Sequence, residues 1–302
     1  MTPKGWKKRM KKTIYILFPL FIYFASHDII QFLLYILVNL LVGSGEQMAN
    51  LLQKNGAYVT AGVQILDMLL AMAVTWWVER YCRIHALFPE AEQAVLWKTM
   101  KCENNTCDPE TDRQNDRRPT YNPRVYVVKC MLVFTALAVF LNCFLLQTGV
   151  NRLSGAFHVT SQGQLGTPVI MAILLFGIVS PLVEEYVFRY LLYSHMKCYF
   201  SAALSIGISA LFFGIYHANL VQGLYGFFMG LYLAYSYECT LMAGVDQKKG
   251  MLVPMICHGF VNLLVFFGGR QGLFLMLPWW VAALLLLIGM VVEVLYYKKT
   301  YF

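Results

Sequence analysis

The chain alternates long apolar stretches with short polar ones, and the apolar stretches are of bilayer-crossing length. A first run begins at Thr13 and, after a polar interruption at His27 and Asp28, resumes from Ile29 to Val42. Its return beyond Phe24-Ala25-Ser26 leads us to expect an uncleaved anchor rather than a cleaved signal peptide. At about 20 apolar residues per crossing, further spans are predicted near 59–78, 125–147, 167–195, 199–217, 220–238, 251–269 and 273–296. The pattern predicts an all-α polytopic bundle of about eight transmembrane helices. Between the second and third spans, Ile84, Leu87, Phe88, Ala91, Val95 and Leu96 recur at near-helical spacing, as in a helix lying in the interface. Residues 101–124 form a polar tract that reads as a flexible loop. The organisation expected is 1–78 with two helices, 79–124 as a polar segment, 125–166 with a third helix, 167–269 as a core, and 270–302 as a last helix and tail.

Composition narrows the class. Of 302 residues, 59% are hydrophobic and 13% charged, against roughly 45–50% and 25% in soluble domains. Soluble, disordered and small disulfide-stapled classes are excluded. The net charge of +8 is concentrated at certain segments, beginning with Lys4, Lys7, Lys8, Arg9, Lys11 and Lys12. Because this cluster abuts an apolar run, it reads as a topology signal and no nucleic-acid partner is expected. With eight crossings, 79–124, 196–198, 239–250 and the tail after Tyr297 fall on the same side and hold most Lys and Arg, while the other side has little beyond Lys54, Arg152 and Arg270. The positive-inside rule then places both termini in the cytoplasm. The short loops suggest a bacterial cell membrane. Of eight cysteines, Cys102 and Cys107 lie in the polar tract, where reduced thiols are expected rather than a zinc site. No internal repeat is visible, which weakens a transporter reading.

Scarce charges within the spans carry the chemistry. Glu184 and Glu185 stand side by side in the fourth, each at a cost of about 2.5–3.5 kcal/mol. Glu185 and Arg189 are four apart and share a helix face, where they can pair, whereas Glu184 lies about 140° from Arg189. Glu184 is thereby free to face another helix as a general base. His217 ends the fifth span, and His258 and Asn262, four apart, project from one face of the seventh. Weaker readings attach to other polar residues. His27, Asp28 and Asp67 are expected to form an interhelical contact, with Asp67 alternatively lining an access path. Glu293 is expected within reach of Lys298 and Lys299. His158, near Gln162 and Gln164, has no evident partner.

In order, Glu-Glu-x-x-x-Arg (184–189), Phe-x-x-x-His (213–217) and His-x-x-x-Asn (258–262) resemble the motifs of the CPBP family, which joins type II CAAX prenyl endopeptidases with bacteriocin-processing and self-immunity proteins. The resemblance covers about 167–269 and implies an all-helical intramembrane glutamic protease. It implies that Glu184 with His217 activates a water, that His258 and Asn262 stabilise the oxyanion, and that Glu185 with Arg189 supports the site. The implied partners are a hydrophobic or lipidated peptide and the bilayer, and no cofactor is expected. Rival readings stay open: Glu184, His217 and His258 as zinc ligands, a non-catalytic peptide-binding immunity protein, or a proton-coupled transporter. Serine or cysteine proteolysis is less supported, because Ser180 and Cys257 lack a base of their own. At about 1.5 Å per residue from the cytoplasmic ends, His258 is about 12 Å deep, Glu184 about 20 Å and His217 about 26 Å. A sunken 217–221 turn and a wet cavity opening toward the cytoplasm are therefore expected.

Overall fold

The computed structural model describes residues 3–85, Leu87 and 122–301, and among them there are helices and no strands. The expected interfacial helix over 84–99, the polar loop and Cys102 and Cys107 fall almost wholly outside the described residues. Eight helices there are 15 residues or longer: α1 Pro3–Gly43, α2 Gly56–Ile84, α3 Pro123–Gln147, α4 Val169–Lys197, α5 Ala202–Tyr216, α6 Leu220–Met242, α7 Leu252–Arg270 and α8 Trp279–Tyr301. Short helices Glu46–Lys54 and Gly155–Gly166 fill connections at one end. Six of the long helices are long and apolar enough to cross a membrane. The other two are α5, which is apolar but has 15 residues, and α6, whose run is interrupted by Gln222, Glu238 and four tyrosines. The fold is an all-α polytopic membrane bundle. α2 ends later than the apolar window suggests, at Ile84, and Glu79 and Arg83 pair at 2.6 Å on its last turns.

The surface confirms the solvent. Within the apolar windows of α1 and α8 only 6% of residues are buried in the protein. Leu33, Leu37 and Leu40 on α1, and Leu284, Leu287 and Ile288 on α8, point outward. Such belts are tolerable only against lipid, which also demands that each backbone group be satisfied within its own helix. Inside, apolar packing forms two major clusters. One joins α1, α2, α4 and α5 through Leu20, Tyr23, Met68, Val183, Phe188 and Phe213. The second joins α3, α6 and α7 through Phe134, Leu141, Leu233 and Val261. Helices α3 and α8 pack antiparallel, with Lys129 Nζ donating to Glu293 Oε1 at 2.5 Å and Tyr232 adding a bond to Glu293 Oε2 at 3.0 Å. Glu293 therefore pairs 164 residues back along the chain, because the antiparallel register brings Lys129 alongside, and no pair with Lys298 is seen among the described residues; the Lys299 side chain lies outside them.

Helix polarity gives the bundle two unlike ends. One carries the start of α1, the ends of α2, α4, α6 and α8, and the starts of α3 and α7. It collects Arg80, Arg83, Arg124, Lys129, Lys197, Lys248, Lys249 and Lys298, and we call it the basic end. The opposite end carries the two short helices and the α7–α8 connection, with Lys54, Arg152 and Arg270.

Candidate active site

α4 is not uniform. It widens into π-helical turns over Ile173–Val179 and again over Tyr186–Tyr193, leaving an ordinary α-helical segment, Ser180–Glu185, between them. Pro181 has no N–H for the ladder, and a widened turn just before it absorbs the interruption. Single π turns recur at functional sites because they displace side chains from the α-helical register. Here they frame the two glutamates.

Glu185 and Arg189 are 0% exposed, and Arg189 Nη1 donates to Glu185 Oε1 at 2.9 Å. Arg189 Nη2 reaches the Gly230 carbonyl at 3.3 Å, and its guanidinium carbon sits 4.4 Å from the centre of the Phe213 ring. A buried ion pair repays its desolvation only with such added contacts. They tie α4 to α5 and α6. Glu184, one residue earlier, turns to a cavity: Ser180 Oγ donates to its Oε1 at 2.5 Å, and its Oε2 lies 3.6 Å from His258 Nε2.

His258 reaches this point because α7 touches α4 backbone to backbone. A Cβ placed on Gly259 would fall 2.2 Å from the Gly177 carbonyl oxygen, so only glycine fits. At that approach His258 Nδ1 stands 2.8 Å from Glu185 Oε1. With Glu185 already accepting from Arg189, we assign the proton to Nδ1, which donates and leaves Nε2 directed at Glu184. The imidazole is thus held between both glutamates. One turn on, Asn262 Nδ2 donates to the Phe176 carbonyl at 3.1 Å, inside the first π segment. One amide hydrogen is thereby spent on the backbone and the other is left over.

His217 caps the short α5. At about 1.5 Å per residue that helix is about 22 Å long, short of an about 30 Å hydrocarbon core. The chain turns through Ala218 at φ 56° and starts α6 at once, with Asn219 Oδ1 accepting from Gln222 N at 2.9 Å. Close approach of the hairpin depends on missing side chains: a Cβ on Gly214 would lie 2.6 Å from the Gly223 oxygen, and one on Gly226 would lie 3.0 Å from His217 Nδ1. His217 Nδ1 is bonded to the Phe213 carbonyl at 2.8 Å, which fixes the ring and leaves Nε2 for a ligand.

Glu184, His217, His258 and Asn262 all line one cavity of about 580 Å³ between the two apolar clusters, together with Ser180. Glu185 and Arg189 are not among its lining residues and stand behind it. The cavity does not open where the depth argument places it. Its exposed lining residues are Gln31, Gln64, His158, Gln164 and Leu275, all toward the end opposite the basic one. The reason is that α5 starts at the basic end and stops short, so the space it leaves unfilled lies beyond His217. His158, which had no evident partner, is a mouth residue on the helix Gly155–Gly166. Asp67 both pairs and lines: its Oδ2 is 3.1 Å from His27 Nε2, and its buried Oδ1 has no hydrogen-bond partner. His27 Nδ1 is also 3.5 Å from Asp28.

Residue reading overlooked Ser180 as a partner of Glu184, although their spacing of four is the same signal that pairs Glu185 with Arg189. It also overlooked Gly177, Gly214, Gly226 and Gly259, whose only sign in the sequence is their proximity to polar motifs. Among the described residues, no three His, Cys, Asp or Glu side chains gather as a metal-binding set. Comparison with curated proteins and with solved structures finds no match. A family model does match: residues 166–264, which include every one of the site residues above from Gly177 to Asn262, fit the type II CAAX prenyl endopeptidase family described as Rce1-like. That match, over about a third of the chain, supports membership of the CPBP family of membrane proteases.

Proposed function

We propose that the chain is an intramembrane endopeptidase that hydrolyses a peptide bond in a hydrophobic or lipidated substrate, with Glu184 as the base. The observation that carries this reading is the contrast between neighbours: Glu185 is locked to Arg189, while Glu184 faces the cavity 3.6 Å from His258. Water held between Glu184 and His217 Nε2 loses a proton to the Glu184 carboxylate as its oxygen adds to the substrate carbonyl. The free amide hydrogen of Asn262 and, when His258 carries a second proton, its Nε2–H are the donors for the oxyanion. Collapse breaks the C–N bond, and the proton taken up by Glu184 passes to the departing amine by way of His258. Glu185 holds His258 in one tautomer, and Arg189 holds Glu185.

In purified protein, Glu184→Gln should lower cleavage of a hydrophobic peptide by about 10³-fold while leaving the thermal midpoint unchanged. Undiminished cleavage would overturn the glutamate-base reading. Loss on chelation with recovery on added zinc would replace it with a metal mechanism. A binding role without hydrolysis would show as unchanged peptide affinity and no product in either form. The distribution of basic residues supports a cytoplasmic position for both termini by the positive-inside rule.

A further inference from the structure

The peptidase reading leaves open where its substrate comes from, and the bundle's two unlike ends bear on that question. Toward the basic end, polar groups among the described residues pair with one another across the interior. Lys197 and Tyr193 both bond Glu238, Lys129 and Tyr232 both bond Glu293, and Tyr126 donates to the Ser236 carbonyl at 2.9 Å. None of these residues lines the cavity. At the other end the cavity wall runs without interruption from Glu184 and His258 up to exposed Gln31, Gln64, His158 and Gln164. That wall carries amide and hydroxyl groups, including Asn151, Ser161 and Gln222, and has no Lys or Arg among its lining residues. Side chains that both donate and accept suit the alternating N–H and C=O of an extended peptide.

Charge bias then orients the molecule. Basic residues within short loops and near span ends mark the cytoplasmic side, and here they crowd the end away from the mouth. Resting on the peptidase reading, we infer that the substrate reaches Glu184 from the extracytoplasmic face, as a peptide or a juxtamembrane segment exposed on that side. On this inference a cytoplasmic, C-terminally prenylated protein lies on the side away from the mouth. Whether the peptide is soluble or still anchored by an apolar segment, the chemistry met at the mouth is the same: an extended backbone stretch entering past amide side chains.

Cysteine labelling tests the entry side independently of catalysis. In the full chain with Cys102, Cys107 and Cys198 replaced by serine, His158→Cys at the mouth and Lys248→Cys at the basic end are treated with a membrane-impermeant maleimide. In intact cells His158→Cys should label and Lys248→Cys should not, and in inverted vesicles the pattern should reverse. The opposite pattern, or labelling of both from one side, would overturn the inference. An impermeant quenched-fluorescent peptide library supplies the second arm. Cleavage by intact cells but not by inverted vesicles, abolished by Glu184→Gln, supports entry from outside, and a lipid-anchored version cleaved in preference identifies the anchored source. Cleavage only by inverted vesicles would overturn the entry side while sparing the peptidase reading. Cleavage on neither face, with the labelling as expected, would count against the peptidase reading and leave the entry side standing.

Discussion

Carboxylates are buried at both levels of this bundle, and they are treated in opposite ways. Toward the basic end Glu293 meets Lys129 and Tyr232, and Glu238 meets Lys197 and Tyr193. At the cavity Glu184 has no Lys or Arg in contact among the described residues, and its neighbours are the Ser180 hydroxyl and the His258 imidazole. A carboxylate with an ammonium and a phenol on it is neutralised and immobile, and it seals. One held by a hydroxyl and an imidazole keeps an oxygen available, and it can react. Glu185 shows that the difference is one of partners and not of depth, since it is buried as fully as any and yet serves Arg189 and His258.

Breaking the pair behind the site should have the largest effect on the fold. Arg189→Met leaves the buried Glu185 without its guanidinium, with His258 Nδ1 as its remaining partner, and should cost about 3–5 kcal/mol, read as a lower unfolding midpoint in detergent together with complete loss of cleavage. Gly259→Ala comes next: the added methyl meets the Gly177 oxygen, and separating α4 from α7 should cost about 1–3 kcal/mol. Because it moves His258 from Glu184, turnover should fall further than stability does, which a paired measurement of melting and cleavage would reveal. Ser180→Ala acts on positioning. Losing a hydrogen bond to a charged group, worth roughly 1.5–3 kcal/mol, should lower kcat about tenfold with KM unchanged and alter the pH profile, and Ser180→Thr should restore both. The smallest effect belongs to the basic end. Replacing Lys129 and Glu293 together by Met and Gln removes both charges at once, and stability should shift by about 1 kcal/mol or less with turnover unaltered. A large loss of turnover in that double variant would erase the distinction between the two levels.

Much of this was legible because the relevant signals are local. Apolar run length marks the helices, and spacing of four pairs Glu185 with Arg189 and sets His258 beside Asn262. The ordered motifs indicate that α4, α5 and α7 come together. What escaped is either long-range or subtle in the backbone. Lys129 finds Glu293, and His27 finds Asp67, only through antiparallel packing of distant segments. The π-helical turns around Ser180–Glu185 break the 100° periodicity on which helix-face arguments rest. The backbone contact of Gly177 with Gly259 appears in sequence as two ordinary glycines. The mouth's position was misjudged because depth was counted along straight, full-length helices, and α5 is neither full-length nor followed by a surface loop.

A cavity whose exposed lining residues all lie toward one end also sets which reservoir supplies its water. Glu184 and His258 share one cavity with the exposed residues of the mouth, across a lining rich in amides and hydroxyls, and the paired charges toward the basic end are not among its lining residues. On the proposed reading, the water consumed in each hydrolysis is therefore drawn from the compartment that the mouth faces.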